Sequence, residues 1–139
     1  MHKMIFVNLP IADVQRSRDF FTAVGYTINE QFSDENAISV ELGENIVAML
    51  LKTDFFGTFH EATTAAPGTK ETLVALSAES RDEVDEIVGR AVAAGGTEGR
   101  SEDHGFMYGR SFDDPDGHTW EIMWMDPAAA AGGPEDAQG

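Results

Sequence analysis

The segment "DDPDGHTW", residues 113–120, joins a tight-turn motif to a strand-like run that carries one carboxylate, Glu121, among large apolar residues. Proline presets φ and glycine accepts a positive φ, so Asp114–Gly117 predicts a β-turn directly before a strand at Thr119–Met125. The turn sets the register of that strand, and register decides which side chains share a face with Glu121. A carboxylate in such a place can hold a metal ion with other ligands, act as a general base, or anchor a cationic or hydroxyl-bearing ligand.

A second candidate segment is "HGFMYGR", residues 104–110, where two glycines allow bends or a close backbone approach. We predict that Tyr108 and Arg110 contact a ligand at a pocket mouth. The alternative is a twisted sheet edge with a surface arginine. His118 directly follows the turn and is expected to face solvent.

Three phenylalanines, Phe55, Phe56 and Phe59, lie close together in a segment that otherwise reads as a loop, beside His60. Exposed aromatic residues favour association. They either pack down as a lid over the core, or form a hydrophobic wall for a flat ligand or a dimer contact. We take Phe56 as a candidate ligand-binding residue.

Composition limits the classes of function. The 139 residues hold no cysteine, which excludes disulfides, thiolate metal sites and a cysteine nucleophile. The net charge of −16, from 25 acidic and 9 basic residues, disfavours nucleic acid and anionic membranes and favours cationic ligands. No apolar run is long enough to cross a bilayer, and the first residues do not resemble a secretory signal. A cytoplasmic location is therefore expected.

Two successive halves follow the same order of elements. In the first, an apolar strand at residues 4–9 stops at Pro10, Asp13 caps a helix that ends at Gly25, and three strands follow. In the second, a strand precedes a capping box at Ser80–Glu83, and the helix ends at Gly95-Gly96. The predicted strands of the two halves after residue 9 are Tyr26–Phe32, Ala37–Leu42, Ile46–Leu51, Thr72–Ala78, Thr97–Glu102, Phe106–Phe112 and Thr119–Met125.

The sequence thus predicts an α+β fold of two βαβββ modules, with curved mixed sheets around a shared cleft and the helices outside. The modules are residues 1–52 and 71–126, joined by a loop linker at residues 53–70 and followed by a disordered tail at residues 127–139. Neither module is large enough to bury a sufficient core alone, so we expect one structural domain overall.

The segments "FVNLPIADVQRSRDFFTAVGY", "SRDEVDEIVGRAVAAGG" and "FDDPDGHTWEIMW" resemble the vicinal oxygen chelate superfamily, over about residues 4–126. That superfamily contains glyoxalase I, extradiol dioxygenases, fosfomycin-resistance enzymes and bleomycin-resistance proteins. In its metal-dependent members, the ligands come from the first and last strand of each half. The resemblance places these positions at Phe6, Met49, Leu73 and Glu121.

Only Glu121 among those four positions is a metal-ligating residue type. A benzyl ring, an isobutyl group and a thioether are not ligands for Zn²⁺, Fe²⁺ or Mn²⁺, which prefer imidazole or carboxylate. A repositioned His2 or Glu71 is the main way in which a metal site can still be completed. We therefore predict no metal and no cofactor, with a divalent ion as the alternative.

The resemblance implies two functions of different classes. The first is a metal-free binding protein of the bleomycin-resistance type, a homodimer that sequesters a cationic or aromatic compound such as an antibiotic. The second is a metal-dependent lyase, isomerase or dioxygenase. The ligand count favours the first, and its predicted ligand-binding residues are Phe6, Asn8, Met49, Phe56, Leu73, Tyr108, Arg110 and Glu121.

Overall fold

The computed structural model describes residues 1–129, which form two compact units divided between Thr69 and Lys70. Residues 130–139, most of the predicted disordered tail, lie outside the described part of the chain. Across residues 1–129 no helix has both the length and the apolar character needed to cross a bilayer.

The first unit is a four-stranded mixed sheet with one long helix. Its spatial order is β1-β4-β3-β2, with β1 parallel to β4 and the other neighbours antiparallel. The elements are β1 Ile5–Ile11, α1 Val14–Val24, β2 Thr27–Ile28, a 3₁₀ turn at Glu30–Phe32, β3 Ala37–Gly43, β4 Ile46–Lys52, a short helix α2 Thr53–Phe56 and a 3₁₀ turn at Gly57–Phe59.

The second unit repeats this topology, with the order β5-β8-β7-β6 and with β5 parallel to β8. Its elements are β5 Val74–Ser77, α3 Arg81–Ala93, β6 Thr97–Asp103, β7 Met107–Asp113 and β8 Thr119–Met125. The predicted α+β class with two mixed sheets is therefore confirmed.

Both long helices begin at the predicted caps. The Asp13 carboxylate accepts from the Arg16 amide at 3.0 Å, and the Ser80 hydroxyl accepts from the Glu83 amide at 3.0 Å. The Glu83 carboxylate accepts from the Glu79 amide, one residue before the position that the capping box predicts. These bonds satisfy amides that the first helical turn leaves without partners.

Each sheet buries one face under its helix. In the first unit, Ile38, Val40, Ala48 and Leu50 are fully buried with helix residue Phe21. In the second unit, the fully buried strand residues are Phe112 of β7 and Trp120 and Ile122 of β8. The fully buried residues of α3 are Val84, Val88 and Ala91. We call the opposite side of each sheet its open face.

Three predictions about local structure are wrong. Pro10 does not end β1, because an edge strand tolerates a residue without an amide hydrogen. The predicted strand Tyr26–Phe32 shortens to two residues, because the Asn29 side chain caps a 3₁₀ turn by accepting from the Gln31 amide at 3.1 Å. The predicted loop at residues 53–70 contains the two short helices, so its phenylalanines lie on helical turns.

The turn at Asp114–Gly117 is held from inside by the Asp114 carboxylate, which is 5% exposed. One carboxylate oxygen accepts from the amides of Asp116 at 2.9 Å and His118 at 3.0 Å, and the other accepts from the Trp120 indole at 2.9 Å. Gly117 adopts φ 83°, the positive value that the motif predicts. Burial raises the pKa of Asp114, against the effect of these three donors.

The buried carboxylate therefore ties the turn to the first residues of β8 and fixes which side of the strand faces the core. Trp120 is 1% exposed on the helix side, whereas Glu121 is half-buried on the open face. This is the arrangement that the turn motif predicts.

We expect Asp114→Ala to lower the free energy of unfolding by about 3 kcal/mol, because it leaves buried N–H donors without an acceptor. Asp114→Asn keeps one acceptor oxygen and should lose less. Urea denaturation checks both variants, with the exposed Glu35→Ala as the control for loss of one carboxylate. If Asp114→Ala lowered the free energy of unfolding no more than the control, the hydrogen bonds of the Asp114 carboxylate would not be important for stability.

Candidate functional site

The open face of the first sheet carries a hollow of about 780 Å³. We call it the first hollow. Phe6 and Phe32 are 56% and 63% exposed, which is high for phenylalanine, and both line it. Its other large apolar lining residues are Met4, Tyr26, Leu42, Val47 and Met49.

Cross-strand register explains which residues share the open face of the first sheet, of which Phe6, Ser39 and Met49 line the first hollow. Asn8 on β1 and Ser39 on β3 both pair with Met49 on β4, so the three residues form one row across the sheet. Phe6 lies two residues before Asn8 and therefore projects from the same face. The structure thus brings three predicted site residues, Phe6, Asn8 and Met49, to one face.

The ionisable lining of the first hollow is acidic. Glu41 on β3 and Glu44 in the turn after it are the charged residues that line it, within the described part of the chain. In residues 1–129 neither carboxylate has a hydrogen bond or an ion pair with another side chain. Neither carboxylate is among the predicted site residues, although Glu41 lies in the predicted strand Ala37–Leu42 and Glu44 lies just after it.

The open face of the second sheet carries a smaller hollow of about 300 Å³, the second hollow. Ala75 on β5 and Ser111 on β7 both pair with Glu121 on β8, which forms a row equivalent to that of Met49. Leu73, the residue before the start of β5, also lines this hollow and is 59% exposed. Two predicted site residues, Leu73 and Glu121, are therefore together here.

Glu121 has no hydrogen bond or ion pair within residues 1–129, whereas its charged neighbours are paired. Lys70 donates to Asp113 at 3.2 Å and to the Gly117 carbonyl. Arg100 lies 3.1 Å from Glu102. The second hollow thus presents one unopposed carboxylate beside cations that already have partners.

The polar ends of Tyr108 and Arg110 have partners on α3 and β6, and the contact of these two residues with a ligand stays a prediction. The Tyr108 hydroxyl donates to Asp85 of α3 at 2.6 Å, and the Arg110 guanidinium bonds Asp85 and Glu98. The two bonds from Tyr108 and Arg110 lower the pKa of Asp85. Arg110 contributes to the lining of the second hollow, but its charge is used to bind α3 to the sheet.

The Arg81 side chain lies between two aromatic rings and adds to the contacts between α3 and the second sheet. The sequence pattern did not predict this position of Arg81. The Arg81 guanidinium lies 5.0 Å from the Tyr108 ring centre and 5.2 Å from that of Trp124. It also donates to Asp103 and to the Gly105 carbonyl, and its hydrogen bond lowers the pKa of Asp103. These contacts link α3 to β7 and β8 and leave no free charge for a ligand.

Phe56 is not among the lining residues of either hollow. Its ring meets that of His60 edge to face at 5.3 Å, and Phe55 meets Phe59 in the same way at 5.1 Å. Phe55 and Phe56 are half-buried, but Phe59 remains 67% exposed. The half-buried Phe55 and Phe56 are compatible with packing against the core, and the role of the exposed Phe59 in a ligand or dimer contact stays a prediction.

The residues at the expected metal-ligand positions do not fit a divalent ion. Phe6, Met49 and Leu73 supply no nitrogen or oxygen ligand. The register adds Asn8 and Ser39 to the row of Met49, and Ala75 and Ser111 to the row of Glu121, none of which is an imidazole or a carboxylate. No group of three or more His, Cys, Asp or Glu side chains arranged to hold a metal occurs within residues 1–129. His2 and Glu71 are exposed and belong to no such group.

Residues 3–122 match the model of the Glyoxalase/Bleomycin resistance protein/Dioxygenase superfamily. The chain belongs to this family. No curated protein matches the sequence significantly.

Solved structures share the fold at low sequence identity. A hypothetical protein, SA1046 from S. aureus, is 23% identical with a TM-score of 0.74, covering 89% of this chain and 94% of that one. Lactoylglutathione lyase from Agrobacterium tumefaciens is 16% identical, TM-score 0.66, covering 88% and 92%. TioX from Micromonospora sp. ML1 is 20% identical, TM-score 0.66, covering 89% and 99%. At these identities the likeness concerns the fold alone.

We expect Glu121→Gln to change the free energy of unfolding by less than about 0.5 kcal/mol, because its carboxylate has no partner in the described structure. Trp120→Ala, one residue away on the buried face, should cost about 3–5 kcal/mol. Chemical denaturation of both variants checks the assignment of faces. A large loss for Glu121→Gln would show that this carboxylate has a structural role.

Proposed function

We propose that this protein binds a small cationic or aromatic molecule, such as an antibiotic, without a metal ion. The observation that carries the proposal is the first hollow, an aromatic surface with two unopposed carboxylates. The homodimer and the cytoplasmic location stay predictions.

Size and apolar exposure support a binding role for the first hollow. Ligand pockets for drug-sized molecules usually have volumes of about 300–1,000 Å³. The rings of Phe6 and Phe32 are largely exposed, although burying a phenylalanine side chain typically gains about 1.5–3 kcal/mol. A flat ligand covering these rings recovers part of that free energy and gains favourable ring contacts.

Charge supports selection of a cation. Glu41 and Glu44 both line the first hollow, and the net charge of the chain is −16. A cationic ligand would gain Coulomb energy from both carboxylates and from the faces of the aromatic rings. An anionic ligand of the same shape would be repelled.

Glu121 offers the second hollow an anchor of its own for a ligand ammonium or hydroxyl group. Its carboxylate needs no rearrangement to accept such a group, because it has no partner in residues 1–129 and its basic neighbours are already paired. Hydrogen bonds to charged groups contribute about 1.5–3 kcal/mol, so the anchor can contribute measurably to affinity.

The alternative is a metal-dependent lyase, isomerase or dioxygenase, as the family includes such enzymes. The side chains at the expected ligand positions argue against it for this chain. One carboxylate together with a benzyl, an isobutyl and a thioether side chain does not form a ligand set for Zn²⁺, Fe²⁺ or Mn²⁺.

We expect dialysed protein to hold well under one Zn, Ni, Mn or Fe per chain, since Phe6, Met49 and Leu73 supply no suitable ligand. Plasma emission analysis measures this directly. One tightly held ion per chain that is lost in Glu121→Ala would contradict the metal-free proposal and favour the enzyme.

We expect the planar cation proflavine to bind wild-type protein more tightly than the neutral acridone of similar shape. Phe6→Ala should weaken binding of both compounds, because it removes ring contact. Glu41→Gln with Glu44→Gln should weaken only proflavine, by about tenfold, as expected for the loss of about 1.4 kcal/mol. Fluorescence titration measures all of these affinities.

The matched control is Glu35→Gln with Glu61→Gln, which also removes two negative charges, at exposed residues that do not line the hollow. Equal weakening by the control would attribute the effect to net charge. Unchanged affinity in Phe6→Ala for both compounds would show that the first hollow is not the binding site.

A further inference from the structure

Three methionines lie together on the open face of the second sheet, at the end that carries the β6–β7 hairpin. Met107 on β7 pairs with Met125 on β8, and Met123 on β8 pairs with Gly109 on β7. Residues that pair across antiparallel strands project from the same face, as do residues two apart on one strand. Met107, Met123 and Met125 therefore share one face within two neighbouring rows, and we call them the methionine cluster.

Gly109 leaves a gap inside the methionine cluster. A Cβ at this position would lie 3.4 Å from Met123 Cγ and 3.9 Å from Met107 Sδ. The two thioether side chains thus flank a point where the sheet carries no side chain. Met107 and Met123 also line the second hollow, so the gap is reached from it.

A carboxylate lies opposite the same gap, and an imidazole lies near that carboxylate. The His104 amide donates to the Met107 carbonyl at 2.8 Å, which continues the β6–β7 pairing by one residue pair. Glu102 pairs with Gly109, and His104 Nε2 lies 3.6 Å from the Glu102 carboxylate. His104 and Glu102 therefore lie beside the methionine cluster on the open face.

We infer that the methionine cluster with His104 is a site for a soft monovalent cation of the Cu⁺ type. Thioethers are soft ligands that select Cu⁺ over hard divalent ions, and imidazole suits copper as well. Neutral sulfur ligands keep their donor capacity at any pH, and Glu102 can balance the charge of the bound ion. This site is separate from the four positions at which the family would hold a divalent metal.

Flexibility also favours such a site. Met125 is 44% exposed, and the His104 side chain is about half exposed, so both can turn toward an ion. Methionine has three rotatable bonds and adjusts its sulfur position readily. The fixed backbone register brings the donors near one another, while the side chains complete the coordination.

The test is a competition for Cu⁺ between the protein and bicinchoninate, without oxygen and with ascorbate present. We expect one Cu⁺ per chain. Met107→Leu or Met125→Leu should weaken binding about tenfold or more, because even loss of a residue that only supports a ligand typically costs about 10- to 100-fold in metal affinity. Leucine is close to methionine in volume, so these variants should fold. Met49→Leu, in the first hollow, should bind Cu⁺ like the wild type.

Two outcomes would overturn this assignment. One is failure of the wild-type protein to take Cu⁺ from bicinchoninate. The other is binding that His2→Ala abolishes while Met107→Leu leaves it intact, which would place the ion at the amino terminus. Copper-edge X-ray absorption gives an independent readout, because the assignment predicts sulfur neighbours that decrease in Met107→Leu. Proflavine binding should not change in Met107→Leu, so this assignment and the proposed function can fail separately.

Discussion

The buried contact between the Asp114 carboxylate and the Trp120 indole fixes the register on which the second open face depends. Side chains alternate along a strand, so a slip of one residue would exchange the two faces of β8. Trp120 would then leave the core, and Glu121 would enter it beside α3. By satisfying two backbone amides and one indole, a single carboxylate keeps Glu121, Thr119 and Met123 on the same open side.

Much of this arrangement follows from local sequence. The two helix caps and the turn at Asp114–Gly117 act within a few residues, so their chemistry is readable directly. Asn8 and Ala75 each lie five residues before a helix cap, Asp13 and Ser80, and each pairs with the central residue of its open face, Met49 or Glu121. The internal repeat therefore predicts the equivalent positions of the two sheets.

The remaining features depend on contacts that the sequence pattern does not encode. Tyr108 and Arg110 are predicted to contact a ligand because the glycines beside them allow bends or a close backbone approach. Their partners, Asp85 on α3 and Glu98 on β6, are distant in sequence, so the network that binds them could not be read from segment 104–110. Likewise, Glu41 and Glu44 acquire significance only when β3 and its turn curve beside Phe6.

The two hollows differ in size and in lining, although the two sheets share one topology. The first is large and aromatic with an acidic lining. The second is smaller and is lined by charged residues of both signs, among which Glu121 has no partner within residues 1–129. Equivalent rows hold a thioether at Met49 in one unit and a carboxylate at Glu121 in the other. The repeat has thus kept the backbone pairing while the side chains of the open faces have diverged, as expected when function depends on the site and not on the fold.

The most direct test of metal-free binding on these faces is a methyl NMR titration of protein labelled at its six methionines, with proflavine added in excess chelator. Met4 and Met49 line the first hollow, so their methyl signals should shift through the ring current of the bound dye. The signals of Met107 and Met125 should move little at the same dye concentration. If chelator abolished binding, or if Met4 and Met49 stayed unshifted while the dye bound, the account of the first hollow would be contradicted.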